Sequence, residues 1–422
     1  MIVAALANPL GARPAAAQEP TSADLGSWDA VRRQFSLSPD YIHMSALLVA
    51  SHPKPVQAAI DAHRRRLDEM PVSHLEGENR RLQWRARQAA AEYLGAEPGA
   101  IALTDSTTMG LGLIYGGLRL SPGDEILTSI HDYYATHEAL RLAATQSGAT
   151  VKKAELYRPG EALGVDLFVE RVEAAIGPKT RVVALTWVHS GSGLKLPISS
   201  IGAAIERING QRSAAERILF CVDGVHGFGV EDVRVADLHC DFFIAGCHKW
   251  LFGPRGTGIV WGRPEAWREV RPTIPSFIDP ASWSAWATGG TPGPTTATMM
   301  TPGGFKPFEH LWAITEAFEF HQRIGKARVQ GRTRELAKRL KNGLAEIPGV
   351  RLVTPYYDHL SAGIVSFDVA GMSPQQVVAR LEQQRIIATT TPYATPHARL
   401  TPSIRNTPEE IDAVLDALRS LT

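Results

Sequence analysis

A lysine, a carboxylate and a histidine carry the chemistry that can be read from this chain. Lys249 closes the segment Asp241-Phe-Phe-Ile-Ala-Gly-Cys-His-Lys-Trp250. Its apolar run, Phe242 to Ala245, is short and bounded by turn residues, which predicts a buried strand. A glycine-rich turn, Gly253 to Gly258, follows, and then a second apolar strand, Ile259 to Trp261. A lone lysine in such a place most often snorkels to the surface. One that stays buried loses hydration, which lowers its pKa and leaves an amine able to attack a carbonyl near neutral pH. Upstream, Arg217-Ile-Leu-Phe-Cys-Val-Asp-Gly-Val-His226 predicts another buried strand that ends on Asp223, with His226 just beyond it.

A strand-end carboxylate beside a strand-end amine suits pyridoxal phosphate. The lysine forms the Schiff base, and the carboxylate keeps the pyridine nitrogen protonated so that the ring is an electron sink. With Asp223-x-x-His226, Asp241, His248-Lys249, Gly253-Pro254 and Gly256-x-Gly258, the chain resembles the class V aminotransferase group of fold-type I pyridoxal-phosphate enzymes. The resemblance runs from about Trp28 to the C-terminus and is greatest to the isopenicillin N epimerase-like branch. It implies pyridoxal 5'-phosphate as cofactor, an amino-acid-like substrate and a homodimer with active sites at the interface. It also places His248 among the cofactor-binding residues.

Further candidates follow along the chain. After Ile101-Ala-Leu-Thr104, the residues Ser106, Thr107 and Thr108 open a predicted helix, Met109 to Leu118. Such residues serve as ordinary N-caps, but a helix N-terminus also offers free N–H groups to an anion. Together with the resemblance, this predicts a phosphate cradle centred on Thr107 and Thr108. The resemblance implies a flat side chain stacked on the cofactor ring, and Tyr133 aligns there, with Tyr134 as second choice. Arg399-Leu-Thr401 resembles the family's Arg-Ile-Ser, whose arginine holds the substrate carboxylate by two parallel hydrogen bonds. The resemblance implies that the segment Tyr41 to Ala46 runs along the active-site mouth, which makes His43 and Ser45 candidates for substrate contact. The resemblance also implies that a Gly-Thr crosses a dimer interface to the partner's phosphate. Gly290-Thr291 and Thr301-Pro-Gly-Gly304 both qualify, and spacing to the next helix favours Thr301. Where many members carry asparagine near the cofactor's phenolic oxygen, this chain has Ser190, so that hydrogen bond is expected from His226 in preference to His189.

Strands alternating with helices through residues 100–262 predict an α/β fold with a mostly parallel sheet covered on both faces, and the resemblance implies seven strands in it. Ligands bind such sheets at the carboxyl ends of the strands, where Thr107, Asp223 and Lys249 all fall. The expected organisation is a large cofactor-binding domain over residues 28–305 and a small α/β domain over 306–422. Val72 to Glu76 reads as a loop between the helices Lys54–Met70 and Arg80–Leu94. Arg271 to Gly304, rich in Pro, Gly, Thr and Trp, reads as a long functional loop. Residues 1–27 lie ahead of the fold. Ala15-Ala-Ala-Gln18 looks like a signal-peptidase site, but the preceding apolar run is feeble and no basic residue precedes it. That extension is either an export-signal remnant or a disordered tail, giving an exported or a cytoplasmic protein respectively.

The 422 residues hold 44 basic and 43 acidic side chains without runs of like charge, which argues against nucleic-acid and membrane-surface partners. No apolar stretch is long enough to span a bilayer. The three cysteines, Cys221, Cys240 and Cys247, form neither a disulfide framework nor a zinc pattern, and no metal-ligand set is evident. Related desulfurases carry a catalytic cysteine on a small-domain loop. Here every cysteine precedes residue 250, which disfavours a persulfide-forming desulfurase. The expected activity is Cα or side-chain chemistry on an amino acid, of epimerase, lyase or aminotransferase type. Two alternatives stay open: a dioxygen-using oxidase or monooxygenase-decarboxylase, and a non-catalytic binding protein on the same fold. His43, His189, His226 and His248 would be the proton-handling groups of the former.

Overall fold

The computed structural model describes residues 24–158 and 160–421. The proposed cleavage site at Ala15–Gln18 lies outside them. Seven strands form the central sheet: β1 (Ile101–Thr104), β2 (Glu125–Ser129), β3 (Thr150–Ala154), β4 (Thr180–Thr186), β5 (Leu219–Asp223), β6 (Phe242–Gly246) and β7 (Gly258–Gly262). Their spatial order is β1-β7-β6-β5-β4-β2-β3, and all are parallel except β7, which runs against both neighbours. Every residue of β5, β6 and β7 is buried, as near-continuous apolar runs require when both faces are covered. The edge strand β3 carries Lys152 and Lys153, both exposed, which discourages pairing with another edge.

One face of the sheet packs on a cluster that includes Ala86, Leu94, Ile201 and Phe168, and the other on Leu111, Ile114, Leu140 and Ala143. The second face is covered by the helices Thr107–Gly117 and Tyr134–Ser147, each of which starts at the carboxyl end of a strand. Because β7 turns back on β6, with Gly246 paired to Gly258, Lys249 lies on a closed turn rather than at a free strand end. That turn is fixed from within. Cys247 N–H donates to Thr257 O (3.0 Å), Gly253 N–H to Cys247 O (2.8 Å) and Phe252 N–H to Lys249 O (3.0 Å). Phe252 adopts a left-handed backbone (φ 56°), unusual for a bulky residue.

A second, four-stranded antiparallel sheet is made of β8 (Val350–Leu352), β9 (Val365–Val369), β10 (Thr389–Thr390) and β11 (Ala398–Leu400), in the order β10-β11-β9-β8. It shares an apolar core with the helices Lys326–Ala345, Pro374–Gln383 and Pro408–Arg419. Far upstream, Ile42–His43 joins this part of the molecule by pairing parallel with Ile386–Ile387.

Two predicted loops are corrected. Val72 to Glu76 belongs to a continuous helix, Pro71–Leu94, because proline is tolerated in a first helical turn and Met70 alone makes the break. Within Arg271 to Gly304, Pro280–Thr288 is a helix, capped by Asp279 through Ser282 N–H (2.7 Å) and ended by Gly289 (φ 72°). Among the described residues no helix is long and apolar enough to cross a membrane.

Candidate active site

Lys249, Asp223, His226, Thr107, Thr108, Tyr133 and Arg399 open on one cleft of about 610 Å³, with Leu47, Leu48 and Pro392 among its walls. Lys249 comes from the β6–β7 turn and Asp223 from the end of β5. Burial pushes the Lys249 amine down to about 8, Arg399 adds to this, and Asp223 only partly offsets it. The same burial pushes the Asp223 carboxyl up to about 6, opposed by the Val225 N–H (3.1 Å) and by Lys249. Asp223 is 4 % exposed and, among the described residues, has no ion-pair partner. A cation placed beside it would be held.

His226 is buried, and Trp250 Nε1–H donates to its Nδ1 (3.2 Å). That bond makes Nδ1 the acceptor and leaves Nε2–H as the donor. Burial and the neighbouring Lys249 and Arg399 keep the ring neutral, well below the ordinary histidine range.

At the other end of the cleft, Ser106 caps the helix Thr107–Gly117 by accepting from Met109 N–H (3.1 Å). Thr107 and Thr108 occupy the first helical turn, where backbone N–H groups have no partner within the helix. Thr107 Oγ1 accepts from Gly246 N–H (2.7 Å), tying this turn to the strand that delivers Lys249. His248 packs against the same glycine, and its Nδ1 is buried without a partner. An uncommitted ring nitrogen beside a helix N-terminus fits a phosphate, just as Asp223 fits a pyridinium. The residues present therefore suit pyridoxal phosphate.

Arg399 is 2 % exposed and donates to Ser190 O (2.6 Å), Thr389 Oγ1 (3.0 Å) and Thr390 O (3.3 Å). All three acceptors are neutral. Burial brings the guanidinium down to about 10, so it remains a cation with no carboxylate partner among the described residues. Ser190 Oγ and Tyr393 OH are hydrogen-bonded (2.8 Å), which links the loop after β4 to the loop before β11 beside this arginine.

Several candidates lie elsewhere. His43 is outside the cleft, because β-pairing with Ile387 turns its segment away and Nε2 bonds Ser38 O (3.2 Å). Its neighbours Leu47 and Leu48 line the cleft instead. Ser45 forms a β-bridge with Thr401. Thr301 does not fit a role across an interface. It is 3 % exposed, and its hydroxyl is engaged by Arg87 (3.0 Å), Leu103 N–H (3.1 Å) and Ala297 O (3.2 Å). Thr291 is exposed. Of the two tyrosines, Tyr133 lines the cleft and meets Tyr393 edge-on (6.1 Å), while Tyr134 is 70 % exposed. His189 is buried against Tyr157 and does not line the cleft.

The sequence reading missed Asp132. This buried carboxylate accepts from Thr128 Oγ1 (2.8 Å), Ser129 N–H (2.7 Å), Ser129 Oγ (2.8 Å) and Thr186 N–H (2.7 Å), joining the ends of β2 and β4 directly before Tyr133. Burial would raise its carboxyl, but His189 and these hydrogen bonds outweigh it and hold the group below its usual range. An acid directly after a buried strand was the available signal.

A sheet of this order, with a lysine turn, a strand-end aspartate and a helix N-terminus at one cleft, defines a fold-type I pyridoxal-phosphate enzyme. The model of the aminotransferase class-V family matches residues 50–408, so the chain belongs to that family. With that membership goes pyridoxal 5'-phosphate as cofactor. Isopenicillin N epimerase of Streptomyces clavuligerus is 27 % identical over 410 residues, covering 94 % of this chain and 99 % of its own. The Amycolatopsis lactamdurans isopenicillin N epimerase is 29 % identical over 363 residues, 82 % of this chain and 87 % of its own. A probable cysteine desulfurase of Mycolicibacterium paratuberculosis is 29 % identical over 80 % of this chain and 48 % of its own. Among solved structures, a cystine C–S lyase in complex with cysteine persulfide superposes with TM-score 0.79 at 23 % identity, over 90 % of this chain and 98 % of its own. Apo cysteine desulfurase from Thermococcus onnurineus gives 0.80 at 23 %, over 93 % and 97 %.

Proposed function

We propose that this enzyme binds an α-amino acid by its carboxylate through Arg399 and uses Lys249 to move the Cα proton, in an epimerase-, lyase- or aminotransferase-type reaction. The observation that carries this is the Arg399 guanidinium, buried, bonded only to neutral acceptors and opening on the same cleft as Lys249 and Asp223. Bound there, pyridoxal phosphate supplies a carbonyl to capture the amino group and a ring to accept the electron pair released at Cα.

The chain's own groups do the rest. Thr107, Thr108 and His248 would hold the phosphate, Tyr133 the ring face and Asp223 the ring nitrogen. His226, with Nε2–H directed by the Trp250 bond, is placed to donate rather than accept. Burial lowers the Lys249 pKa to about 8, so only about a tenth of the amine is free at pH 7, and that fraction rises steeply with pH to supply the base. Thr291 would complete the partner's phosphate site in a homodimer. The exposed aromatic residues Trp286 (78 %) and Phe305 (83 %) support a covered face in that region.

A persulfide-forming desulfurase remains disfavoured. Cys221, Cys240 and Cys247 are all fully buried, and burial pushes their thiols up, that of Cys247 to about 12. Of the four histidines offered for oxygen chemistry, His226 lines the cleft and His248 lies behind it beside Thr107, at the phosphate end, while His43 and His189 lie elsewhere. Intact Lys249, Asp223 and Arg399 speak against a non-catalytic protein.

The test is turnover of an amino-acid panel under air, with an oxygen electrode and mass spectrometry of the products. Inversion at Cα, loss of a side-chain group or a keto acid without oxygen uptake would sustain the proposal and name its subtype. Stoichiometric oxygen uptake would replace it with the oxidase reading.

A further inference from the structure

We propose that the chain carries a second anion-binding pocket, built on Arg405 and separate from the catalytic cleft, that takes a small carboxylate with an apolar body. This pocket is lined by Arg32, Phe35, Tyr41, His43, Arg405 and Asn406, with Leu37, Pro39 and Glu410 at its margins, and shares no residue with the cleft.

Arg405 is 5 % exposed. An arginine has five N–H donors. Here Nε–H donates to Ser403 Oγ (3.3 Å), while neither terminal nitrogen has a hydrogen-bond partner among the described residues. Phe252 and Phe35 lie with ring centroids 5.5 and 5.9 Å from the guanidinium. Such contacts use aromatic faces and leave the in-plane N–H groups free. The acid in the pocket wall, Glu410, lies near enough for its charge to favour the guanidinium but bonds neither terminal nitrogen. Glu410 Oε1 accepts from Arg32 (2.7 Å), and Oε2 accepts from Asn406 Nδ2 (2.9 Å) and Thr407 N–H (3.2 Å). A buried guanidinium without a carboxylate of its own is costly unless an anion is supplied from outside, and its fork suits two parallel bonds to a carboxylate. The walls contributed by Phe35, Leu37, Pro39 and Tyr41 select a body that is apolar and flat. Phe252, stacked on Arg405, donates its N–H to Lys249 O, so the pocket backs directly on the catalytic turn.

The experiment is calorimetric titration of the holoenzyme with benzoate and, separately, inorganic phosphate at fixed ionic strength. Saturable benzoate binding should persist in Arg399→Lys, which disables the carboxylate grip of the cleft. It should weaken at least about thirtyfold at this site in Arg405→Met, and less in Arg405→Lys. Should the Arg405 variants fail to fold, Tyr41→Ala at the exposed rim should still weaken benzoate severalfold. Binding that disappears in Arg399→Lys yet survives in Arg405→Met would overturn the pocket, as would no saturable binding at all. Phosphate bound more tightly than benzoate would overturn the carboxylate assignment.

Discussion

At the scale of single residues, the cleft places its ionisable groups where burial works against their charge. Asp223 has a folded pKa of about 6 against an ordinary 3.8, so the folded state binds the extra proton between those values. Stability of the cofactor-free protein therefore falls as pH rises through that window, by roughly 3 kcal/mol in full. Asp223→Asn should regain stability of that order at pH 7.5, measured by urea unfolding after cofactor removal, while losing activity. A variant no more stable than the parent would contradict the burial argument. Lys249 has the opposite sign. Its pKa is depressed from 10.5 to about 8, so stability rises with pH across that range. The Trp250–His226 bond holds one tautomer. Trp250→Phe should lower kcat about fivefold with little change in KM, since a hydrogen bond near 1 kcal/mol fixes the donor. Steady-state kinetics on the best substrate would decide it.

At the scale of elements, the phosphate cradle is only as good as the seating of its helix. Gly110 lies where a Cβ would come within 2.7 Å of Ile244 Cγ2 and 3.1 Å of Val260 Cγ2, on the two strands flanking the Lys249 turn. Gly110→Ala should cost about 1–3 kcal/mol by overpacking and should weaken cofactor retention, because the helix must lift at the end that carries Thr107 and Thr108. Gly112, in the same helix, has open space around its Cβ position. Gly112→Ala should be neutral or stabilising by up to about 1 kcal/mol, since alanine is the better helix former. Melting curves and cofactor titration of the pair separate helix seating from helix propensity.

At the scale of the whole molecule, the proposed dimer makes a prediction that one subunit cannot meet alone. If Thr291 serves the partner's site, mixing Lys249→Ala chains with Thr291→Ala chains should restore activity above that of either parent. Each mixed dimer then contains one site with both residues intact. If Thr291 acts within its own chain, mixing restores nothing. An activity assay after subunit exchange distinguishes the two.

The sequence by itself determined what is local. Continuous apolar runs defined β5 and β6, and the residues placed at their ends, Asp223 and Lys249, follow directly because a strand fixes where its last side chain falls. The helix start at Ser106–Thr108 was legible for the same reason, hydroxyl residues meeting an apolar helical run. Whatever depends on segments far apart in the chain was decided only by the tertiary structure. Thr301 and Thr291 are alike in sequence, but Arg87 and Leu103 bury the first and leave the second exposed. His43 was drawn out of the cleft by pairing with a strand more than three hundred residues away. Asp132 gains its role from Thr186 across the sheet, and Arg405 gains an apolar housing from Phe35 and Phe252. Hydrogen bonds and burial between distant segments leave no local periodicity, so only the folded chain shows which polar side chains are already satisfied and which still face an open site.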